Sequence, residues 1–330
     1  MEKFQNPPLG WSISRSNLLH YCQKKYFFGY YGNWLQEFDQ SFRLEYLLLK
    51  NIKSLDMWIG EKAHNLISDY LNIVANQQDF NKEQLVKQTF TIMDHEFNFS
   101  KNRDYTAYDK ENKFGLSEHY YQIDIDQKYE DAKDKLEKRF DNFLNSSLHK
   151  QILCYLHSPN QRYIEPKEPD FEKMKVVVDN VPELLGITLW ANPDFAVIVD
   201  SNKYIIYDWK TGRVPPYQDG EISDQLKVYA YKLLLNIGME KIDDVQIYAW
   251  EVYLEDMSVF GGKIQTQDIM DIQDKIIEDV SLQKTFIQDG DIQKNIPINS
   301  IVFQRTNNKK KCHTCTYRKI CDDLRHYEDV

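Results

Sequence analysis

The sequence contains no apolar run of membrane length, and the nearest candidate, residues 44–49, is far too short. Internal repeats, low-complexity tracts and linkers rich in proline, glycine or serine are also missing, which indicates one folded unit. No Walker A pattern occurs, so any unwinding of a nucleic acid would depend on another protein. Because no secretion signal is recognisable, we expect a cytoplasmic protein with no membrane partner and no disulfide framework.

Acidic residues outnumber basic ones along the chain, but basic residues cluster near the C-terminus. The 330 residues carry a formal net charge of −10, which argues against a protein that coats nucleic acid nonspecifically. The basic cluster near the C-terminus consists of Lys309–Lys311, Arg305, Arg318, Lys319 and Arg325. Hydrophobic residues make up 42% of the chain and aromatic residues 14%, so we expect a large folded core rather than disorder.

Two acidic residues lie at the ends of short β-type runs. Asp194 opens the run of residues 195–199, and Asp208 closes the run of residues 204–207. Residues 200–203 between them form a turn signal, so the segment predicts a hairpin. Antiparallel pairing brings both carboxylates to the same end of the sheet, where they can share one cation.

Lys210 follows Asp208 by two positions, so both side chains point to the same face of the strand while Trp209 points to the opposite layer. Carboxylate ligands suit a hard ion such as Mg²⁺ or Mn²⁺, which can bind a substrate phosphate. An ammonium group beside such an ion can stabilise the transition state of phosphodiester hydrolysis. The tripeptide alone is more often a solvated or ion-paired strand end, so the prediction depends on its context.

Three further residues supply that context. His64 lies in the first turns of a helix predicted to start near Gly60, and it is available as a metal ligand. Gln225 and Tyr229 lie one turn apart on the same face of a helix predicted for residues 222–235. Each of these residues is ordinary by itself, and the informative feature is their order along the chain.

This order resembles the RecB-like branch of the PD-(D/E)xK nucleases. The branch includes the RecB and AddB nuclease domains, exonuclease V and the CRISPR-associated RecB-like nuclease, and the similarity covers roughly residues 11–330. The resemblance implies a restriction-endonuclease-like α/β fold, in which helices flank a mixed β-sheet core. One departure is Ala191-Asn192-Pro193-Asp194, where the family usually has Gly-x-x-Asp; the carboxylate is retained and proline suits a strand entry.

The resemblance also implies roles for individual residues. His64, Asp194 and Asp208 would bind Mg²⁺ or Mn²⁺, and Lys210 would be catalytic. Gln225 and Tyr229 would support the active site and contact DNA. Some family members use a glutamate from an earlier strand as well, and Glu165 is the candidate for it here.

The cysteines form a second constellation. Cys312, Cys315 and Cys321 have the spacing C-x2-C-x5-C, and Cys22 lies near the N-terminus. Four thiolates can hold a [4Fe-4S] cluster or a zinc ion, and the missing second cysteine pair makes zinc the less favoured alternative. The resemblance implies the cluster of the AddB and exonuclease V type, whereas His313 and His326 keep zinc possible. The fifth cysteine, Cys154, lies in an apolar run and is interpreted as a buried small hydrophobe.

The predicted organisation is a single RecB-like nuclease unit over residues 1–330. Its parts are a helical insertion at 65–160 that can arch over the active site, a catalytic sheet core at 161–255, and a cysteine tail at 300–330 that pairs with Cys22. Ser14 is the predicted cap of the helix that carries Cys22. The aromatic stripe from Tyr26 to Trp34 could stack bases, but a core face packed on the sheet is the favoured interpretation.

We therefore predict a metal-dependent DNA nuclease, and specifically an exonuclease that acts on single-stranded DNA ends in repair, recombination or defence. An acidic exterior with a local basic groove favours a thin, threaded strand over broad duplex binding. One alternative is a nuclease of CRISPR adaptation or another defence system that works only with a partner, such as a helicase. Another is a catalytically idle scaffold that binds DNA ends, against which the intact Asp194, Asp208 and Lys210 argue.

Overall fold

The computed structural model describes residues 6–34, 40–106, 114–165, 174–216 and 221–322. The helices are α1 Ile13–Tyr21, α2 Gln23–Tyr31, α3 Gln40–Asn51, α4 Leu55–Ala75, α5 Lys82–Lys101, α6 Ser117–Tyr120, α7 Asp126–Asn145, α8 Ser147–Leu156, α9 Asp224–Ile237, α10 Thr266–Lys284 and α11 Lys309–His313. The strands are β1 Gly10–Trp11, β2 Ile52–Lys53, β3 Gly115–Leu116, β4 Arg162–Ile164, β5 Lys175–Val177, β6 Thr188–Trp190, β7 Phe195–Asp200, β8 Lys203–Lys210, β9 Gln246–Tyr253 and β10 Ser258–Lys263. Arg325 and His326 lie outside the described residues.

The main sheet is mixed. Within the described residues it has five strands in the order β10-β9-β8-β7-β4, of which β8 and β9 run parallel and the other neighbours antiparallel. The hairpin of β7 and β8 confirms the sequence prediction. A parallel pair needs a crossover connection, and α9 supplies it between β8 and β9. The crossover places Glu251 of β9 directly beside Asp208 of β8.

Each face of this sheet packs against helices because side chains alternate along a strand. Ile205, Tyr207 and Trp209 lie in a core that they share with α4, α5, α7 and α8. Ile206 and Ala249 lie in the core on the other face, which includes residues of α9 and α10. Asp208 therefore faces α9 while Trp209 packs into the opposite layer, as the alternation predicts. The result is the mixed α/β, restriction-endonuclease-like architecture that the sequence led us to expect.

Helix α2 provides much of the core near the C-terminal tail. Tyr26, Phe27, Phe28 and Tyr31 are nearly fully buried, and the ring of Phe27 lies 4.8 Å from that of Phe303 between centroids. This burial confirms the core interpretation of the stripe, because a buried ring is not available to stack on a base.

Helices α4, α5, α7 and α8 cover the Trp209 face of the sheet. The ring of Phe143 in α7 meets the ring of Trp209 edge-on, with centroids 5.4 Å apart. The predicted start of the insertion at residue 65 lies inside α4, which is one continuous helix from Leu55. The limits of the insertion and of the other predicted parts stay predictions.

Two local predictions are wrong. Ser12 rather than Ser14 caps α1, because the Ser12 hydroxyl accepts the N–H of Arg15. Cys154 is exposed, because it lies on the outer face of α8 between the buried Ile152 and Leu156. Among the described helices, none combines the length and the apolar character needed to cross a membrane.

Candidate active site

The hairpin places two acidic residues at one end of the sheet. Phe195 pairs with Tyr207, so Asp194 and Asp208 flank that pair on neighbouring strands. Both carboxylates are nearly inaccessible to solvent, at 5% and 2% relative exposure. The backbone N–H of Trp209 donates to Oδ2 of Asp194 at 2.5 Å, which ties the two strand ends together.

His64 and Glu165 complete a cluster of metal-ligating groups around Asp194. Nδ1 of His64 lies 2.9 Å from Oδ1 of Asp194 and 3.8 Å from Oε2 of Glu165. One ligand atom from each of the three side chains lies within 4.8 Å of the other two. His64 comes from α4, whose start is capped by the hydroxyl of Ser54, whereas Glu165 directly follows β4.

Asp208 is turned toward a different set of partners. Its Oδ1 accepts hydrogen bonds from the Tyr229 hydroxyl at 2.7 Å and from Nε2 of Gln225 at 3.0 Å. Nζ of Lys210 donates to Oε1 of Gln225 at 2.7 Å and lies 2.5 Å from Oδ2 of Asp208. The structure therefore brings these four predicted residues together, but it does not include Asp208 in the cluster around Asp194. Shared ligation by the two aspartates stays a prediction.

The site carries more negative than positive charge. In the described part of the chain, the carboxylates of Asp194, Asp208, Glu165 and Glu251 face only Lys210 and, when it is protonated, His64. Burial of several like charges is unfavourable unless a cation compensates them. The excess of carboxylates is thus a property expected of a cation site.

The pKa values of Asp194 and His64 reflect this crowding of charges. Burial raises the pKa of Asp194 to about 8, and the charge of Asp208 adds to the effect while His64 opposes it. Burial by itself lowers the pKa of His64, but the charge and hydrogen bond of Asp194 outweigh it, so the pKa lies well above its ordinary value of 6.5. At neutral pH the pair therefore holds a proton when no metal is bound, and metal binding would release it.

One buried atom supports the fit of a metal ion. Oδ2 of Asp208 has no hydrogen-bond partner among the described residues, and its contact with Lys210 is an ion pair outside hydrogen-bonding geometry. A buried carboxylate oxygen without a hydrogen bond needs another compensating group. Carboxylate oxygens with one imidazole are a ligand set suited to Mg²⁺ or Mn²⁺.

Sequence reasoning missed two residues that shape this site. Glu251 is 3% exposed, accepts the Ser223 hydroxyl at 2.6 Å and lies 3.8 Å from Nζ of Lys210. Asn192 donates to Oε1 of Glu165 at 3.0 Å. The order of strands in the sheet is the signal that would have identified Glu251, because the residue is 43 positions from Asp208 in sequence but adjacent in register.

The four predicted cluster cysteines line one cavity of about 490 Å³. Cys22 lies between α1 and α2, where its sulfur accepts the N–H of Lys25, and the other cysteines come from the tail. In the described part of the chain, five cations also line this cavity: Lys25, Arg305, Lys309, Lys311 and Arg318. His313 lines it as well, whereas Cys154 does not.

The restriction-endonuclease-like architecture, with its acidic residues gathered at one end of the sheet, is that of a metal-dependent nuclease. The chain belongs to the PD-(D/E)XK nuclease superfamily, whose family model matches residues 10–322. Membership implies hydrolysis of phosphodiester bonds, DNA as the substrate and Mg²⁺ or Mn²⁺ as the usual ion. No curated protein matches the chain.

Proposed function

We propose that the protein is a RecB-like deoxyribonuclease that degrades single-stranded DNA from its ends, in DNA repair, recombination or defence. The observation that carries the proposal is the site at the ends of β7 and β8. There, the cluster formed by His64, Glu165 and the buried Asp194 adjoins the ion pair between the buried Asp208 and Lys210. A scaffold without activity would have no need for this arrangement, because several carboxylates held close together in a largely buried site cost stability.

The side chains divide the catalytic work. His64, Asp194 and Asp208 would hold the ion, and Glu165, which lies beside His64 and Asp194, would be a further ligand. When bound, the ion would activate a water molecule and neutralise charge on the scissile phosphate. Lys210 would stabilise the charge that develops on the phosphate, since its ammonium is held between Asp208 and Gln225. Tyr229 and Gln225 would orient Asp208 through their hydrogen bonds to Oδ1.

We further propose that the cysteine cavity holds a [4Fe-4S] cluster rather than zinc. Tetrahedral zinc would bring its four sulfurs to about 3.8 Å from one another, given Zn–S bonds of about 2.3 Å. In the described residues, no three ligand atoms that include a cysteine sulfur lie within 4.8 Å of one another. A cluster binds each thiolate through a different iron, so it suits wider spacing. The five cations of the cavity would offset the negative charge of the thiolates.

An assay on two DNA topologies tests the proposed activity. The anaerobically purified protein is incubated with Mn²⁺ and either end-labelled linear or closed circular single-stranded DNA, beside the Lys210→Ala variant. We expect degradation of the linear DNA alone and loss of that activity in the variant, and the position of the label gives the polarity. Cutting of circles would instead indicate an endonuclease. Cutting that appears only after a helicase or a defence protein is added would favour the partner-dependent alternative.

The basic tail provides a prediction about DNA binding. Changing Lys309, Lys310 and Lys311 to glutamate should weaken binding of single-stranded DNA, because they form three consecutive positive charges next to the cysteine cavity and Lys309 and Lys310 are exposed to solvent. The slope of log affinity against log salt should fall by up to about 2, since each phosphate contact on a single strand contributes about 0.7. Fluorescence anisotropy in the Lys210→Ala background measures both quantities without cleavage.

The matched control changes three exposed lysines that lie outside this cavity, Lys150, Lys241 and Lys263, to glutamate. This control alters the net charge by the same amount. It therefore separates direct contact between DNA and the tail lysines from the effect of net charge on DNA binding. Equal losses of affinity and slope in both triple variants would contradict a binding role for the tail.

A further inference from the structure

The backbone of Glu165 is anchored on both sides at the edge of the active site. Its N–H donates to the carbonyl oxygen of Asp194 at 2.9 Å, which continues the antiparallel pairing of β4 with β7. Its carbonyl oxygen accepts the hydroxyl of Ser68 in α4. These contacts fix the backbone, but they leave the side chain free to rotate, and 29% of that side chain is exposed. The direction of its carboxylate therefore depends on the contacts of the side chain itself, which include His64 within the site and Asn192 outside it.

Asn192 supplies that direction. Its Nδ2 donates to Oε1 of Glu165 at 3.0 Å, and its Oδ1 accepts the hydroxyl proton of Tyr163. The carboxylate of Glu165 can only accept hydrogen bonds, whereas the Tyr163 hydroxyl donates one to Asn192. The side-chain amide of Asn192 therefore has only one orientation that satisfies both neighbours. The hydrogen bonds form a chain from Tyr163 through Asn192 to Glu165.

The other carboxylate oxygen of Glu165 is left for the site. Oε2 lies 3.8 Å from Nδ1 of His64, inside the cluster completed by Asp194. Without the amide of Asn192, the partly exposed carboxylate of Glu165 would gain hydration and rotational freedom by turning away from His64 toward solvent. Partners that orient a ligating group in this way typically change metal affinity by about 10–100-fold when they are removed.

We propose that Asn192 is a positioning residue of the metal site, that Tyr163 orients Asn192, and that together they set the affinity for the divalent cation through Glu165. The inference rests on the proposed function, because the ion is the one that the nuclease uses. It gives a physical role to the segment Ala191-Asn192-Pro193-Asp194, in which the asparagine lies two residues before the buried aspartate.

The test measures metal affinity directly. Free Mn²⁺ is followed by electron paramagnetic resonance while wild type, Asn192→Ala, Glu165→Gln and the double variant are titrated. We expect Asn192→Ala to bind Mn²⁺ about 10–100-fold more weakly than wild type. The double variant should bind as weakly as Glu165→Gln alone, because Asn192 acts only through that carboxylate. Tyr163→Phe should have a smaller effect in the same direction.

Asn202→Ala is the matched control, since Asn202 also donates one side-chain hydrogen bond, to the carbonyl of Asp244, but in the turn at the opposite end of the hairpin. It should leave the affinity for Mn²⁺ unchanged. An Asn192→Ala variant that binds Mn²⁺ with wild-type affinity would overturn the inference. It would also be overturned if Asn192→Ala lowered the affinity for Mn²⁺ equally in the wild-type and Glu165→Gln backgrounds. In both cases cleavage by wild type would leave the proposed function standing, whereas a wild type that neither binds Mn²⁺ nor cleaves DNA would overturn both.

Discussion

Lys210→Ala is expected to reduce DNA cleavage by a factor on the order of 10²–10⁴, with the fold intact. The ammonium of Lys210 lies between Oδ2 of Asp208 and Oε1 of Gln225, at 2.5 and 2.7 Å. This pre-oriented charge would stabilise the transition state without reorganisation, so its loss should lower the rate of the chemical step. Single-turnover cleavage at saturating Mn²⁺ measures that step.

Lys203→Ala is the control for this prediction because Lys203 begins the strand that Lys210 ends. Its ammonium lies over the ring of Tyr248, and the substitution should leave the rate unchanged. Thermal unfolding of both variants tests whether the fold is intact. A Lys210→Ala protein that cleaves at the wild-type rate would rule out the assigned role.

Asp208→Asn should abolish cleavage as well, and it should not lower the stability of the metal-free protein. The side chain keeps its shape, while one of the crowded carboxylate charges around Lys210 and His64 is removed. Sites arranged for function commonly hold such unfavourable charge at a cost in stability. Thermal unfolding in a chelator compares the two proteins, and a large loss of stability would indicate that Asp208 is chiefly a structural partner of Lys210.

Cys315→Ala is expected to remove the brown colour of the anaerobically purified protein and to lower the free energy of unfolding by about 2–5 kcal/mol, the range for loss of a cross-link that closes a long loop. Cys22 and the tail cysteines line the same cavity, although Cys22 and Cys312 are 290 positions apart in the sequence. A shared cluster would clamp α1 and α2 to the tail. Visible absorbance and iron content report loss of the cluster, and denaturant unfolding measures the change in the free energy of unfolding.

Cys154→Ala is the matched control, since this cysteine is exposed and lies away from the cavity. Colour and iron content should be unchanged, and stability should change by no more than about 0.5 kcal/mol. A colourless wild-type protein that contains stoichiometric zinc would contradict the cluster assignment.

Local sequence patterns were enough to predict much of the architecture. The alternation along residues 204–210 predicts that Asp208 and Lys210 face one layer and Trp209 the other, and the two cores bear this out. The turn at residues 200–203 predicts the hairpin. Both features depend on contacts between residues close in sequence. In contrast, the expectation that Cys154 is buried was wrong, because one apolar run does not reveal which face of a helix packs inward.

The sequence by itself determined the hairpin with its paired aspartates, the lysine at its end and the spacing of the cysteines, because these depend on neighbours along the chain. Only the tertiary structure decided that Glu165 joins His64 and Asp194, that Asn192 holds Glu165, and that Glu251 lies beside Lys210. Those contacts arise at one end of the hairpin, where β4 flanks β7, β9 flanks β8 and α4 contributes His64. Their side chains come from distant segments, and the order of strands and the packing of helices bring them together.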